Sequence, residues 1–124
     1  MRPIKSKLVA IRSVQRAEKW ARRSPSDLAK FLTEELKGLP YASYEEAESS
    51  KRAILETGPR MRGKYCLQRS IATVLHCAQF NRKRVKIAIG ARIDPFQAHA
   101  WVVADGRPVE DFPVEETFKV LLEV

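Results

Sequence analysis

Apolar residues recur with the 3.6-residue period of an α-helix through the first half of the chain. One stripe runs from Leu8 to Ala21 and predicts a first helix with lysines and arginines on its other face. A second helix is predicted to start at Ser24-Pro25, since serine is a favoured N-cap and proline suits the first helical position. A third is predicted from about Ser43 to Glu56, after which Thr57-Gly58-Pro59 interrupts the pattern.

The second half of the chain changes from one apolar helix to short alternating strands. Apolar residues from Leu67 to Ala78 share one helical face, and the alternation from Val85 to Gly90 predicts a half-buried strand. Another strand is predicted from Ala98 to Ala104, followed by a hairpin turn at Asp105-Gly106 and a return strand. The tail, residues 117–124, is predicted to be a strand, although a short helix is compatible with it. Helices followed by an antiparallel sheet predict an α+β fold.

Composition and charge narrow the class of protein. The chain has 124 residues, 44% hydrophobic and 31% charged, which fits one folded domain and excludes a disordered tail. It contains no apolar run near the roughly 18 residues that span a bilayer and no secretory signal, so we expect a cytoplasmic protein. The net charge is +8, and residues 57–93 contain nine basic residues and no acidic one. Such a basic segment is typical of a nucleic-acid-binding surface, and it would also stabilise a thiolate at Cys66.

Cys66 lies at the predicted start of the helix that runs to Ala78. None of the four residues before it is a Ser, Thr, Asn or Asp, so several backbone N–H groups of the first turn are expected to lack a capping partner. Such a terminus favours negative charge, and with Arg62, Lys64 and Arg69 nearby it is expected to lower the pKa of the thiol. The same N–H groups are suited to hold an oxyanion. The alternative is that Cys66 is a small buried hydrophobic residue.

Cys77 and His76 are excluded as partners of Cys66 by their distance along the helix. Cys77 lies 11 residues further on, roughly 16 Å at 1.5 Å per residue, which is too far for a disulfide. The same distance excludes His76 as a base for Cys66. Too few ligands remain for zinc, so we expect no metal site and a core role for Cys77.

His99 is the one histidine placed to reach Cys66, and a carboxylate follows it on the return strand. A three-residue loop at Ala104–Gly106 would set His99 directly opposite Asp111, whereas a two-residue turn would direct Asp111 to the other face of the sheet. The first geometry predicts a Cys-His-Asp arrangement in which His99 takes the thiol proton and Asp111 orients the imidazole. The alternative is that His99 is an ordinary core residue of an apolar strand.

Three segments of the sequence stand out together: Tyr65-Cys66-Leu67-Gln68-Arg69-Ser70, Pro95-Phe96-Gln97-Ala98-His99-Ala100-Trp101-Val102 and Gly106-Arg107-Pro108-Val109-Glu110-Asp111. They resemble the lasso-peptide leader peptidases, a branch of the transglutaminase-like, papain-related cysteine proteases. The resemblance covers about residues 58–112. It implies a papain/transglutaminase-like fold, with Cys66 as nucleophile, His99 as general base and acid, and Asp111 as orienting carboxylate.

The resemblance also implies a substrate and partners. The family removes the leader from a ribosomally made precursor, and a separate ATP-dependent cyclase then acts on the product. This chain has no Gly-rich phosphate loop, so we expect no ATP or other cofactor. We expect one domain, residues 1–124, in which 58–124 form the catalytic core and 1–57 a helical lead-in that either docks a partner or only covers the sheet. No segment offers room for a leader-recognition domain, so a separate recognition protein is expected.

Two other classes of function stay open from the sequence. A transglutaminase-like acyltransferase would use the same three residues and pass the acyl group to an amine instead of water. A basic nucleic-acid-binding module would use Arg82-Lys83-Arg84 and the N-terminal basic residues on phosphates. The second class does not explain why Cys66, His99 and Asp111 occur together, so we consider it the weaker alternative.

Overall fold

In the computed structural model, which describes residues 3–124, five helices pack with a four-stranded antiparallel sheet whose strand order is β3-β2-β1-β4. The α+β fold predicted from the sequence is therefore confirmed. The helices are α1 (Ile4–Trp20), α2 (Pro25–Glu35), α3 (Tyr44–Leu55), α4 (Cys66–His76) and α5 (Val114–Thr117). The strands are β1 (Lys86–Arg92), β2 (Gln97–Ala104), β3 (Arg107–Pro108) and β4 (Lys119–Glu123). A 3-10 turn, Pro59–Arg62, precedes α4, and a π-helical turn, Cys77–Asn81, follows it.

Serine side chains determine where α2 and α3 begin, as the sequence predicts. Ser24 Oγ accepts a hydrogen bond of 3.1 Å from the N–H of Asp27. At α3, Ser43 Oγ accepts from the N–H of Glu46 at 3.1 Å, and the Glu46 carboxylate accepts from the N–H of Ser43 at 2.9 Å. This reciprocal capping box satisfies N–H groups that have no partner inside the helix, and it starts α3 at a defined residue.

The buried face of α1 is made of small residues, of which the predicted apolar stripe contained only Ala17. Its buried members are Ser6, Ala10, Ser13 and Ala17, whereas Leu8 is 63% exposed. Small side chains allow α1 to lie close against α4, a helix that is buried on nearly all sides. The predicted stripe is confirmed in its second half, where Ala17 is buried and Val14 and Trp20 pack against the core, and it is wrong at its start, where Leu8 is exposed.

A buried histidine joins three of the helices by hydrogen bonds. His76 Nδ1 lies 2.8 Å from Ser50 Oγ of α3, and its Nε2 lies 3.1 Å from Ser6 Oγ of α1. Because both ring nitrogens are bonded in a site that is closed to water, the imidazole is satisfied where it is buried. The helical first half of the chain is thus attached to α4, the helix that begins at Cys66.

The sheet separates two apolar clusters. The larger cluster lies between the helices and the inner face of the sheet, and it includes Val102 and Ala104 of β2. The smaller cluster lies on the outer face, and its buried members are Ala88, Trp101, Val114 and Phe118. Since neighbouring residues of a strand point to opposite faces, His99 shares the outer face with Trp101.

Gly90 makes room for the Trp101 ring on the outer face. It pairs with His99 in the β1–β2 register. A Cβ at this position would lie 2.8 Å from Trp101 Cη2 and 2.7 Å from the backbone oxygen of Lys119. No side chain fits there without displacing backbone, so a glycine opposite His99 is required for the ring to pack beside it.

The hairpin after β2 closes with two residues, and the predicted three-residue loop is wrong. Ala104 pairs with Arg107, and both turn residues have positive φ, 53° at Asp105 and 69° at Gly106. Aspartate tolerates this region, and a two-residue turn of this kind matches the twist of the strands. Asp105 Oδ2 also accepts a hydrogen bond of 2.7 Å from the N–H of Tyr44 at the start of α3. The turn is therefore held by α3, a contact that local sequence does not show.

The return strand is shorter than predicted, whereas the strand predicted in the tail is confirmed as β4, with the short helix α5 before it. β3 ends at Pro108, although the N–H of Val109 still donates a hydrogen bond of 2.8 Å to the carbonyl of Val102. The chain then leaves the sheet, forms α5 and returns as β4 on the far edge, beside β1. Within residues 3–124, none of the helices is both long and apolar enough to cross a bilayer.

Candidate active site

Cys66 is the first residue of α4, and no side chain caps the start of this helix. Tyr65, the residue before it, makes no capping hydrogen bond with its side chain, as predicted from the absence of a capping residue. The first helical bond runs from the N–H of Arg69 to the carbonyl of Tyr65 at 2.9 Å. The half-buried Cys66 sulfur therefore lies at the positive end of a helix, where backbone N–H groups favour a thiolate.

The structure brings Cys66 and His99 together, as the sequence predicts. Burial by itself would raise the pKa of the Cys66 thiol, but the interaction with His99 outweighs it and the pKa is lowered. The backbone N–H of Ala100 and the charge of Arg69 act in the same direction. The return strand separates from β2 after Val109, so no strand lies beside β2 near Ala100. The start of α4 places the Cys66 sulfur at this part of the β2 edge.

The carboxylate that contacts His99 belongs to Glu110. Its Oε1 lies 3.3 Å from His99 Nε2, which leaves Nδ1 as the ring nitrogen that serves Cys66. The side chain of Glu110 is only 9% exposed, so its charge needs a partner on its other side. Lys51 of α3 supplies one, with Nζ 3.5 Å from Glu110 Oε2 and donating a hydrogen bond of 2.7 Å to the carbonyl of Val109.

Asp111, the carboxylate predicted from the sequence to orient His99, does not occupy that position. It is exposed and lines a surface hollow beside α3, together with Tyr44 and Arg52. The reason is the register of the two-residue turn, in which Val109 is bonded to Val102 and residue 110 follows on the side of Trp101 and His99. A loop of two residues directs Glu110 toward His99, whereas a loop of three would direct Asp111 there. The structure therefore corrects this prediction.

Charges of alternating sign run through the site. The interactions with Cys66 and then with Glu110 raise the pKa of His99 from 6.5 to about 9, although burial opposes them. Burial would raise the pKa of Glu110, but the bond with His99 and the charge of Lys51 lower it. A thiolate, an imidazolium, a carboxylate and an ammonium group therefore follow one another. Each charge is stabilised by its neighbours in a site that water reaches poorly.

Arg69 holds the segment that leads into Cys66. Its Nη1 donates hydrogen bonds to the carbonyl of Met61 at 3.1 Å and to the carbonyl of Gly63 at 2.9 Å. Arg69 lies one turn into α4, so these bonds fold the preceding loop back onto the helix that carries the thiol. Its positive charge also contributes to the lowered pKa of both Cys66 and Glu110.

Aromatic rings surround the imidazole of His99. Its ring centroid lies 5.8 Å from Trp101, 5.7 Å from Phe112 and 5.2 Å from Phe118. The faces of aromatic rings attract a cation, so these contacts favour the imidazolium form and restrict the ring to one orientation. Trp101 Nε1 is buried and has no hydrogen-bond partner within the described residues, so this ring contributes through packing.

Cys77 has the opposite environment to Cys66. It is fully buried, and burial is the largest cause of a raised pKa for its thiol. Asn81 Nδ2 lies 3.6 Å from the Cys77 sulfur. The predicted core role of Cys77 is confirmed, since a buried neutral thiol is a poor nucleophile.

Sequence reasoning missed Glu110 and Lys51. The length of the turn is the signal that identifies Glu110, because the two-residue alternative turns residue 110, not residue 111, toward the face of His99. Lys51 carried no local signal, since it lies 58 residues from the carbonyl it binds. Among residues 3–124, no group of three or more His, Cys, Asp or Glu side chains is placed to hold a metal ion.

Comparison with known families agrees with this geometry. The family model described as the transglutaminase-like superfamily matches residues 10–123 of the chain. No curated protein and no solved structure matches it.

The two cysteines are expected to differ in their reaction with iodoacetamide. Alkylation at pH 7 followed by peptide mapping should show Cys66 modified faster than Cys77, because only Cys66 has a lowered pKa. Alkylation of Cys66 should fall as pH drops through this lowered value. The variant His99→Ala should slow it at pH 7, since the hydrogen bond and charge of His99 are lost and burial then raises the thiol pKa. Faster modification of Cys77, or no effect of His99→Ala, would contradict this assignment.

Proposed function

This chain belongs to the transglutaminase-like superfamily, and we propose that it is a cysteine peptidase that removes the leader from a ribosomally made lasso-peptide precursor. The superfamily includes both cysteine proteases and acyltransferases. The observation that carries the proposal is the paired Cys66 and His99 at an uncapped helix start, with a carboxylate behind the imidazole. The restriction to lasso precursors is supported by the resemblance of the segments around Cys66 and His99 to leader peptidases.

In the first step, the Cys66 thiolate attacks the carbonyl carbon of the peptide bond that joins leader and core. The carbonyl oxygen becomes an oxyanion, which the free N–H groups at the start of α4 are suited to stabilise. The imidazolium of His99 then gives its proton to the leaving amine. The C–N bond breaks, the core peptide leaves with a free N-terminus, and the leader remains attached to Cys66 as a thioester.

In the second step, water replaces the departed core peptide. His99, now neutral, takes a proton from the water as its oxygen attacks the thioester carbon. The C–S bond breaks and the thiolate–imidazolium pair is restored. The leader leaves as a carboxylic acid, which releases its proton to solvent and becomes a C-terminal carboxylate. If an amine attacked instead of water, the product would be an amide. The acyltransferase alternative therefore differs only in the second substrate.

Glu110 and Lys51 have positioning roles in this proposal. Glu110 Oε1 accepts a hydrogen bond from the Nε2–H of His99 and so directs Nδ1 at Cys66. Lys51 binds both the Glu110 carboxylate and the carbonyl of Val109, which fixes the short segment after β3 against α3. The N-terminal helices thus support the site as well as covering the sheet.

The proposal includes two partners and a compartment. We infer that a separate leader-recognition protein delivers the precursor and that a lasso cyclase consumes the freed core. Both inferences rest on the family resemblance and the free N-terminus that the cleavage creates. A cytoplasmic location agrees with a reactive free thiol, which a reducing environment protects.

Incubation with the precursor peptide tests the function directly. The wild-type protein is expected to produce a leader with a new C-terminal carboxylate and a core with a free N-terminus, both identified by mass. Cys66→Ala should abolish cleavage, whereas Cys77→Ala should retain most of it. An amide-linked product would instead indicate the acyltransferase, and cleavage by Cys66→Ala would overturn the proposal.

The choice of carboxylate is tested with neighbouring variants. Glu110→Gln should reduce kcat by about a hundredfold or more, since it removes the charge that holds the imidazolium. The pKa of His99 should fall, so the alkaline limit of kcat/KM should move to lower pH. Asp111→Asn is the matched control and should have little effect, because Asp111 is exposed. A large loss in Asp111→Asn with an unaffected Glu110→Gln would restore the prediction made from the sequence.

The role of Lys51 is tested against its neighbour on α3. Lys51→Met should reduce kcat about tenfold or more, the scale of one lost hydrogen bond to a charged group. Lys51→Arg should restore part of the activity, because a cation again faces Glu110. Arg52→Met is the control, since Arg52 pairs with Glu48 on the exposed side of the helix. Equal losses in Lys51→Met and Arg52→Met would show that Lys51 only stabilises the fold.

A further inference from the structure

Helix α1 turns an apolar stripe to solvent on the side opposite its buried face. Ile4 is 75% exposed, Leu8 63% and Ile11 49%. Their spacing of four and three residues places them on one face of the helix. The small buried residues of α1 already attach the helix to the core from its other side, so the stripe is not needed to hold α1 in place. A row of large apolar side chains left open to water marks an interaction surface.

A groove runs beside this stripe, between α1 and the end of α3. Its first part is a hollow of about 400 Å³, lined by α1 from Lys7 to Ile11 and by residues 53–57. A second hollow of about 200 Å³ shares Ile11 and Thr57 with the first and extends to Met61. Together they form one groove, the α1 groove, which follows α1 from Lys7 to Gln15, roughly 12 Å at 1.5 Å per residue. A groove beside an apolar stripe is the form of surface that binds an amphipathic helix.

Positive charges flank the stripe on both sides. Helical spacing places Lys7 on the side of α3 and places Lys5 and Arg12 on the opposite side. All three side chains are exposed, and none forms an ion pair within the part of the chain that the structure describes. The sequence contains no acidic residue before Glu18, and Glu56 on the α3 side of the groove already has an interaction partner. The α1 groove is therefore complementary to a partner whose own flanks are acidic.

The far end of the α1 groove reaches the segment that leads into the candidate active site. Met61 lines the groove, and its carbonyl accepts the 3.1 Å hydrogen bond from Arg69 of α4. Cys66 follows Met61 by five positions, which span no more than about 18 Å of chain. A protein bound in the groove is therefore near enough to present a peptide to the thiol.

We infer that the α1 groove binds an amphipathic helix of the protein that delivers the precursor, a helix with acidic residues on both sides of its apolar face. The inference rests on the proposed peptidase function and adds to it the surface and the chemistry by which the partner docks. A second copy of this chain is a poorer occupant, because its stripe has the same basic flanks and the two would repel each other. A bilayer surface is flat and would leave the two hollows unfilled, which favours a helix over a lipid surface.

A synthetic peptide tests the chemistry of the groove without knowledge of the natural partner. The probe is a fluorescent peptide of about 18 residues, long enough to form a helix, with leucines at i, i+3, i+4 and i+7 and glutamates on both flanks. A matched probe carries lysines in place of the glutamates. Fluorescence anisotropy is expected to show binding of the glutamate probe alone, weakened by added salt. Leu8→Ser and Ile11→Ser should each weaken this binding about tenfold, because each removes apolar surface that the probe buries.

Leu121→Ser is the matched control, since Leu121 is exposed to a similar extent, 66%, but lies on β4 away from the groove. It should bind the glutamate probe as the wild-type protein does. Equal binding of both probes, no binding of the glutamate probe, or binding that survives both α1 substitutions would overturn the inference. Binding to phosphatidylserine vesicles that replaces binding of the probe would assign the stripe to a membrane. A dimer that light scattering shows to be lost in Leu8→Ser would assign it to a second copy.

A cleavage assay separates this inference from the proposed function. The leader-recognition protein of the precursor, titrated in at low precursor concentration, should raise the rate of the wild-type protein. Leu8→Ser and Lys7→Glu should each require about tenfold more of it for the same rise, while Cys66 keeps its wild-type rate of alkylation by iodoacetamide. A rise that is unchanged in both variants would overturn the inference and leave the peptidase function standing. No cleavage dependent on Cys66 would overturn the function and the identity of the partner, whereas the peptide probe would still report on the groove.

Discussion

The arrangement of this protein depends on keeping four neighbouring charges paired in a site that is largely closed to water. Cys66, His99, Glu110 and Lys51 alternate in sign, and each pair comes from different parts of the fold. Burial opposes the charged form of Cys66 and of Glu110, and in each case the neighbouring charges outweigh it. α4, β2, the segment after β3 and α3 therefore all contribute to the charge state of the site.

This requirement explains why the N-terminal helices matter to a site whose recognisable motifs lie in the second half of the chain. α3 contributes Lys51 directly, and its first residue binds Asp105 in the turn that sets the register of the return segment. α1 holds α4 through small residues and the bonds of Ser6 to His76. Loss of these contacts would move the carboxylate or the thiol without removing either one.

The aromatic residues of the outer face hold the imidazole of His99 in place. Phe118 and Trp101 pack beside His99, and Gly90 leaves the space that the Trp101 ring needs. Phe118 also forms part of an exposed hollow beyond the imidazole. The Phe118 ring thus lies between the imidazole and the hollow.

Local sequence determined the elements of this fold and the placement of two of its reactive groups. Serine caps predicted the starts of α2 and α3, periodicity predicted α4 and the strands, and the lack of a cap before Cys66 predicted its electrostatic setting. These features depend on residues within a few positions of each other, so they can be read from the chain. The tertiary structure decided which carboxylate faces His99, because that depends on a turn held by α3 and on a register in which one residue changes the face. It also decided the roles of Lys51 and of the small face of α1, since both depend on contacts between residues far apart in the sequence.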